Sequence, residues 1–139
     1  MEKKRALILC TGNSARSQMA EGLLRWMAGD RMEVFSAGTR PSLVRPEAIA
    51  VMAELGVDLS GHWSKSVDLY RDQAFDYVIT VCDNAKESCP IFPGQTERIH
   101  WSFSDPAAVE GDEATRLASF REIREQIAAR FREWLDGLR

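Results

Sequence analysis

The feature that most limits what this chain can fold into is an abrupt change of pattern near its start. Residues 5–9 are Arg5 and then an apolar run, Ala6-Leu7-Ile8-Leu9, followed without a spacer by Cys10-Thr11-Gly12-Asn13-Ser14-Ala15-Arg16-Ser17, small and polar. Met19, Ala20, Leu23, Leu24 and Met27 then recur at helical spacing. A short apolar run bounded by turn residues reads as a buried strand, and a 3.6-residue period reads as an amphipathic helix. The segment is expected to run strand, loop, helix. The same alternation continues downstream. Residues 33–37 read as a second strand and 38–43 as a loop. Pro46 opens a helix carrying Ala48, Ile49, Met52 and Leu55, with Gly56 as its C-terminal stop. Residues 76–81 and 97–101 read as third and fourth strands. From 113 to 138 a long helix places Leu117, Phe120, Ile127, Phe131, Trp134 and Leu138 on one face.

Strands alternating with helices predict an α/β fold around a central parallel sheet, which binds ligands beyond the C-terminal ends of its strands. Cys10, Cys82 and Asp105 all fall just past such ends. With 139 residues, 45% of them hydrophobic, the chain is expected to form one domain, 1–139, around one core. A net charge of −3 excludes a protein that coats nucleic acid, so any anion site must be local. The apolar run near the N-terminus is too short for a signal peptide or a membrane span, which predicts a cytoplasmic protein with no membrane partner. In that reducing compartment three cysteines are expected to stay thiols, available for chemistry.

The loop between Cys10 and Arg16 has five residues, Thr11, Gly12, Asn13, Ser14 and Ala15. A loop of this length between a strand and a helix can turn its N–H groups around a tetrahedral oxyanion. Gly12 and Asn13 suit a partly left-handed path. Arg16 offers a planar fork of donors, and the helix beginning near Ser17 adds its dipole. The same field, with the Ser17 hydroxyl, favours the Cys10 thiolate and makes it a nucleophile at neutral pH. Cys-x5-Arg alone is weak evidence, and a plain strand-end thiol beside an ordinary turn competes with this reading. A nucleotide-binding loop is disfavoured, because Gly-x4-Gly-Lys-Ser/Thr is missing. Asp105, in Ser104-Asp105-Pro106, is a candidate general acid, although Asp-Pro is also a common turn opener.

Taken together, residues 10–21, Ser36-Ala37-Gly38, residues 82–90 and Asp105-Pro106-Ala107 resemble the thioredoxin-coupled arsenate reductases, relatives of low-molecular-weight tyrosine phosphatases. The resemblance covers essentially the whole chain. It implies a low-molecular-weight phosphatase-like three-layer α/β fold, with a central four-stranded parallel sheet flanked by helices. It further implies that Cys10 is the nucleophile, Arg16 the oxyanion ligand, Asp105 the acid, Asn13 and Ser17 loop supports, and Cys82 and Cys89 a redox pair. The substrate would be arsenate or a similar tetrahedral oxyanion, with thioredoxin as reductant, no cofactor and a monomeric enzyme. Two positions depart from the pattern. Ala15 stands where the phosphatases usually carry a second cysteine. Lys65 stands near where some reductases of this family place an acidic residue that helps hold potassium, together with matches to Asn13, Glu21 and Ser36. An ammonium there opposes a bound cation and is expected to supply the charge itself.

In the implied cycle Cys82 attacks the sulfur of a Cys10–arsenic adduct and Cys89 then displaces Cys10. Six residues, five of them polar, separate Cys82 from Cys89, and that stretch is expected to be helical in the reduced enzyme and to loop out on oxidation. Buried packing and a zinc site are the competing uses of these cysteines. Cys-x6-Cys is poor metal-ligand spacing, and His62 and His100 stand at no recognisable offset, so both histidines are read as structural or surface residues. A tyrosine phosphatase would use Cys10, Arg16 and Asp105 in the same way but would have no need of a relay. It would also favour aromatic residues where this chain has Ala107-Ala108-Val109. A non-catalytic oxyanion sensor would not need a reactive Cys10.

Overall fold

A computed structural model describes residues 3–83, 85 and 89–138. Four strands, β1 (Lys4–Cys10), β2 (Met32–Gly38), β3 (Tyr77–Thr80) and β4 (Glu97–His100), form one sheet in the order β2-β1-β3-β4, every pair parallel. The helices are α1 (Arg16–Ala28), α2 (Pro46–Ala53) and α3 (Glu113–Gly137), with 3-10 turns at Val67–Tyr70 and Pro106–Ala108. Ala6, Leu7, Ile8 and Leu9 of β1 are completely buried, as a central parallel strand covered on both faces must be.

Strand side chains alternate between faces, so the register assigns each residue to a layer. Tyr77 and Trp101 share one face, which α3 covers with Phe131 and Trp134 in edge-to-face contacts. Ser36 of β2 reaches Glu21 of α1 on that face. The opposite face carries Arg5, Leu7 and Phe35 near β1 and β2, under a cluster of Phe35, Tyr70, Phe75 and Phe92. Towards β3 and β4 it carries Val78, Thr80, Arg98 and His100. The layers are thus the long helices, the sheet, and a third layer of aromatic side chains and short turns.

Element ends differ from the sequence reading in ways that have physical causes. α2 starts at Pro46 as expected but ends at Ala53, capped at Glu54, and Gly56 adopts its positive φ of 78° only after the helix has closed into a turn. On α3, Phe120, Ile127 and Phe131 are buried and Leu117 and Trp134 partly so, but Leu138 is 40% exposed, because it caps the helix beyond its last contact with the sheet. Asp112 caps the start of α3 by accepting from the Thr115 N–H at 2.8 Å. Among the described residues no helix is long and apolar enough to cross a membrane.

Candidate active site

Cys10 is the last residue of the central strand, and the five residues after it lead directly into α1. The outer side of this loop is held by its carbonyls. Cys10 O accepts from Thr39 N at 3.2 Å, Thr11 O from Arg40 N at 2.8 Å, Gly12 O from Ser42 N at 3.1 Å and Ser14 O from Arg45 N at 2.9 Å. The Ser64 hydroxyl adds a bond to Gly12 O at 2.7 Å. Gly38 allows this close approach: a Cβ there would lie 2.5 Å from Thr11 O and 2.9 Å from Asn13 N. With its carbonyls bound outside, the loop leaves its inner wall to N–H groups. α1 begins after Ala15 with no side-chain cap, so the first-turn amides also remain for a ligand.

The left-handed step falls on Asn13, at φ 47°; Gly12, expected to share it, does not have a positive φ. Asparagine tolerates this conformation when its side chain bonds locally. The Asn13 amide donates to Ser17 Oγ at 2.8 Å and Ser36 Oγ at 2.9 Å, while its Oδ1 accepts from Gln18 Nε2 and from the Lys65 backbone N–H, both at 2.9 Å. The Ser17 hydroxyl was expected to act on Cys10. It instead accepts from Asn13 and braces the loop from behind. Lys65 Nζ lies 3.6 Å from Glu21 Oε1, and Glu21 also takes Arg25 at 2.8 Å and the Ser36 hydroxyl. Burial lowers the Lys65 pKa and Glu21 opposes that shift. The acceptors that would ligate a potassium ion are therefore committed to cationic and N–H donors of this chain, and the residues do not fit the metal.

Cys10, Thr11, Gly12, Ser14, Ala15, Arg16, Arg45, Asp105 and Ala107 line a cavity of about 180 Å³. Arg16 reaches across it. Its Nη1 donates to Phe103 O at 3.1 Å, its Nη2 lies 3.9 Å from Asp105 Oδ2, and its buried Nε has no hydrogen-bond partner. A buried charged donor left without an acceptor is costly unless a ligand supplies one. Asp105 Oδ1 accepts from Ala107 N at 2.9 Å, so the capping role of Asp-Pro is real, yet the second oxygen faces Arg16 and the cavity.

All three thiols are free of disulfides. Cys82 stands just past β3, buried, with its sulfur 3.3 Å from Thr11 Oγ1. The neighbouring Cys10 thiol and the Thr11 hydroxyl lower the Cys82 pKa against burial, while Cys82 and burial raise that of Cys10 against the pull of Arg16. The thiolate expected on Cys10 is therefore disfavoured by burial and by its neighbouring thiol, and Arg16 only partly offsets this. Cys89 is half-buried in the wall of a different cavity, and burial raises its pKa. Of the stretch between the cysteines, Asp83 and Ala85 are helical. The expectation for the remainder, Asn84 and Lys86 to Ser88, lies outside the described residues. Among those described, no three of His, Cys, Asp and Glu cluster closely enough to hold a metal ion.

Sequence reasoning passed over Arg45 and Ser64, whose parts in the pocket depend on long-range contacts. It also left both histidines without a role. His62 Nδ1 lies 2.9 Å from Gln18 Oε1, behind the loop, and His100 bridges Thr80 and Asp83.

A strand-end cysteine, an anion loop, an arginine at the mouth of a helix and an acid facing it define a phosphatase-type oxyanion site on a parallel sheet. Residues 5–139 match the model of the low molecular weight phosphotyrosine protein phosphatase family, and the chain belongs to that family. It is 42% identical over 136 residues to an arsenate reductase of Halalkalibacterium halodurans, covering 98% of each chain. It superposes on a solved arsenate reductase in a phosphate-binding state with a TM-score of 0.78 at 30% identity, covering 98% of this chain and 99% of the other. The thioredoxin-dependent arsenate reductase of Corynebacterium glutamicum gives a TM-score of 0.73 at 32% identity, over 97% of this chain and 61% of that one.

Proposed function

We propose that this chain is an arsenate reductase that works by a relay of Cys10, Cys82 and Cys89 and is regenerated by thioredoxin. The observation that carries the reading is a second buried thiol at the edge of the oxyanion pocket: Cys82, whose sulfur lies 3.3 Å from the hydroxyl of Thr11, the residue after Cys10 in the pocket wall. A phosphatase hydrolyses its phosphoenzyme with water and turns over without a second thiol, whereas a reductase needs a sulfur poised to take over the first. The relatives named as arsenate reductases support the same conclusion.

The loop amides and Arg16 bind the arsenate oxygens, and the unpartnered Nε of Arg16 gains its acceptor from the anion. Cys10 gives up its proton to solvent, which leaves the charge on its sulfur where Arg16 favours it. The Cys10 thiolate attacks arsenic while Asp105 protonates the departing oxygen, which leaves as water. Cys82 then attacks the Cys10 sulfur. The sulfur–arsenic bond breaks with its electron pair going to arsenic, so arsenic(V) becomes arsenite as Cys10 and Cys82 join. Cys89 displaces Cys10, and a thioredoxin dithiol reduces the Cys82–Cys89 bridge. The enzyme works in the cytoplasm as a monomer of one domain, 1–139, and needs no cofactor. Ala107 at the pocket gives little aromatic wall for phosphotyrosine, so phosphatase activity is a weak side reaction.

NADPH oxidation coupled through thioredoxin reductase and thioredoxin, started with arsenate, tests the activity. Cys89→Ser is expected to release one equivalent of arsenite and stop with Cys10 joined to Cys82, visible by mass spectrometry. Cys82→Ser is expected to stall at the Cys10 adduct. Sustained turnover by either variant refutes the relay.

A further inference from the structure

The third cysteine opens onto a cavity of about 270 Å³ lined by Val78, Thr80, Cys89, Arg98, Ile99 and His100, separate from the oxyanion pocket. Arg98 and His100 alternate on one face of edge strand β4, roughly 6.6 Å apart along the strand. Each holds a residue next to a relay cysteine. His100 Nδ1 lies 2.7 Å from Thr80 Oγ1, and its Nε2 lies 2.9 Å from Asp83 Oδ1, the residue after Cys82. Arg98 Nη2 donates to Pro90 O at 2.7 Å, the residue after Cys89. The Cys89 thiol donates to that same carbonyl at 3.5 Å, so thiol and guanidinium converge on one acceptor. The edge strand therefore holds both ends of the segment that has to change partners.

We propose that Arg98 is the positioning residue of the second exchange, turning from Pro90 O to the Cys89 sulfur as that sulfur attacks Cys82. The proposal rests on the relay described above. In the step itself Cys89 loses its proton to solvent and its thiolate attacks the Cys82 sulfur. The Cys82–Cys89 bond forms and the Cys10–Cys82 bond breaks, and Cys10 leaves as a thiolate beside Arg16, with no net change of oxidation state. The need for a cation is local. Burial disfavours the Cys89 thiolate, and once the proton has left, the thiol's bond to Pro90 O is lost and the carbonyl faces the anion. Arg98 already opposes the effect of burial on this thiol. Among the described residues, the other titratable groups at this cavity are His100, which lines it, and Asp83, bonded to His100 from beyond.

The test uses full-length protein with Cys10→Ser and Cys82→Ser, which leaves Cys89 as the one thiol, and follows alkylation by iodoacetamide against pH. Arg98→Gln is expected to move the profile to higher pH and slow alkylation at pH 7 about tenfold, with Arg98→Lys in between. With all three cysteines present, Arg98→Gln is expected to release one equivalent of arsenite at the parent rate, accumulate the Cys10–Cys82 bridge, and lose about tenfold in steady-state turnover. Superimposable alkylation profiles for parent, Gln and Lys variants overturn the proposal, as does parent-like transfer of the bridge to Cys89. Circular dichroism separates misfolding from these outcomes, and the Lys variant keeps the charge if Gln does not fold. If the parent releases no arsenite, the reductase reading fails, while the alkylation profile still decides the role of Arg98.

Discussion

Lys65 Nζ and Glu21 Oε1 stand 3.6 Å apart beneath the oxyanion loop, with side chains 10% and 6% exposed. Their pairing makes the support of Asn13 entirely intramolecular. Turnover of the parent enzyme is expected to be the same in potassium chloride and in choline chloride. Lys65→Ala leaves Glu21 short of a partner, at a cost of about 1–3 kcal/mol in thermal or urea unfolding, and raises KM for arsenate as the loop loosens. A parent enzyme stimulated severalfold by potassium contradicts the assignment.

In the proposed mechanism Arg16 binds the anion through fork geometry as well as charge, since its Nη1 is tied to Phe103 O and its buried Nε has no hydrogen-bond partner. Arg16→Lys keeps the charge and loses the fork, so kcat/KM for arsenate is expected to fall about a hundredfold or more. Steady-state kinetics within threefold of the parent would show that the anion is held elsewhere.

The pair of Cys10 and Cys82 predicts a pH dependence whose sign follows from its causes. The neighbouring Cys10 thiol is the largest influence lowering Cys82, so the parent keeps the Cys82 thiolate to lower pH than an ordinary thiol would. Cys10→Ala removes that influence and lets Cys82 rise, although Thr11 and Arg16 still lower it. Alkylation of Cys82 in that variant is expected to shift upward by more than one pH unit, and an unshifted profile would place the stabilising charge elsewhere.

Glu54 lies between two arginines of α3, 2.8 Å from Arg121 Nη2 and 2.8 Å from Arg124 Nη1, and these bonds hold it at about 2 instead of 4.5. A carboxyl depressed in the folded state contributes stability above its unfolded pKa and loses it as pH falls towards the folded one. Glu54→Gln is therefore expected to melt below the parent at pH 7, and that gap should close by more than half by roughly pH 3. A gap independent of pH would indicate lost packing instead of lost charge.

Much of this architecture was readable without coordinates because its signals are local. The run ending at Cys10, the helical period after Ser17 and the β-strand signal around Val78 and Ile79 each depend on neighbours in the chain, and all four strands appeared within one or two residues of their expected ends. What escaped notice is long-range. Arg45 joins the pocket because its N–H reaches Ser14 O, and His100 gains a role because Asp83 folds back over β4. Neither contact has a periodicity to betray it. Ser17 was assigned to Cys10 by proximity in sequence, but its hydroxyl was claimed by an asparagine whose side chain the strained backbone turns inward.

The strand order β2-β1-β3-β4 places the nucleophile on an interior strand and the last thiol beside a border strand. In the proposed reading, oxyanion chemistry is anchored at the end of a completely buried strand, and only the last thiol of the redox cycle sits at the border of the sheet. A designer could remove that border thiol and keep the oxyanion pocket, or fit a comparable thiol to the border of a related hydrolase, without disturbing the strand that sets Cys10.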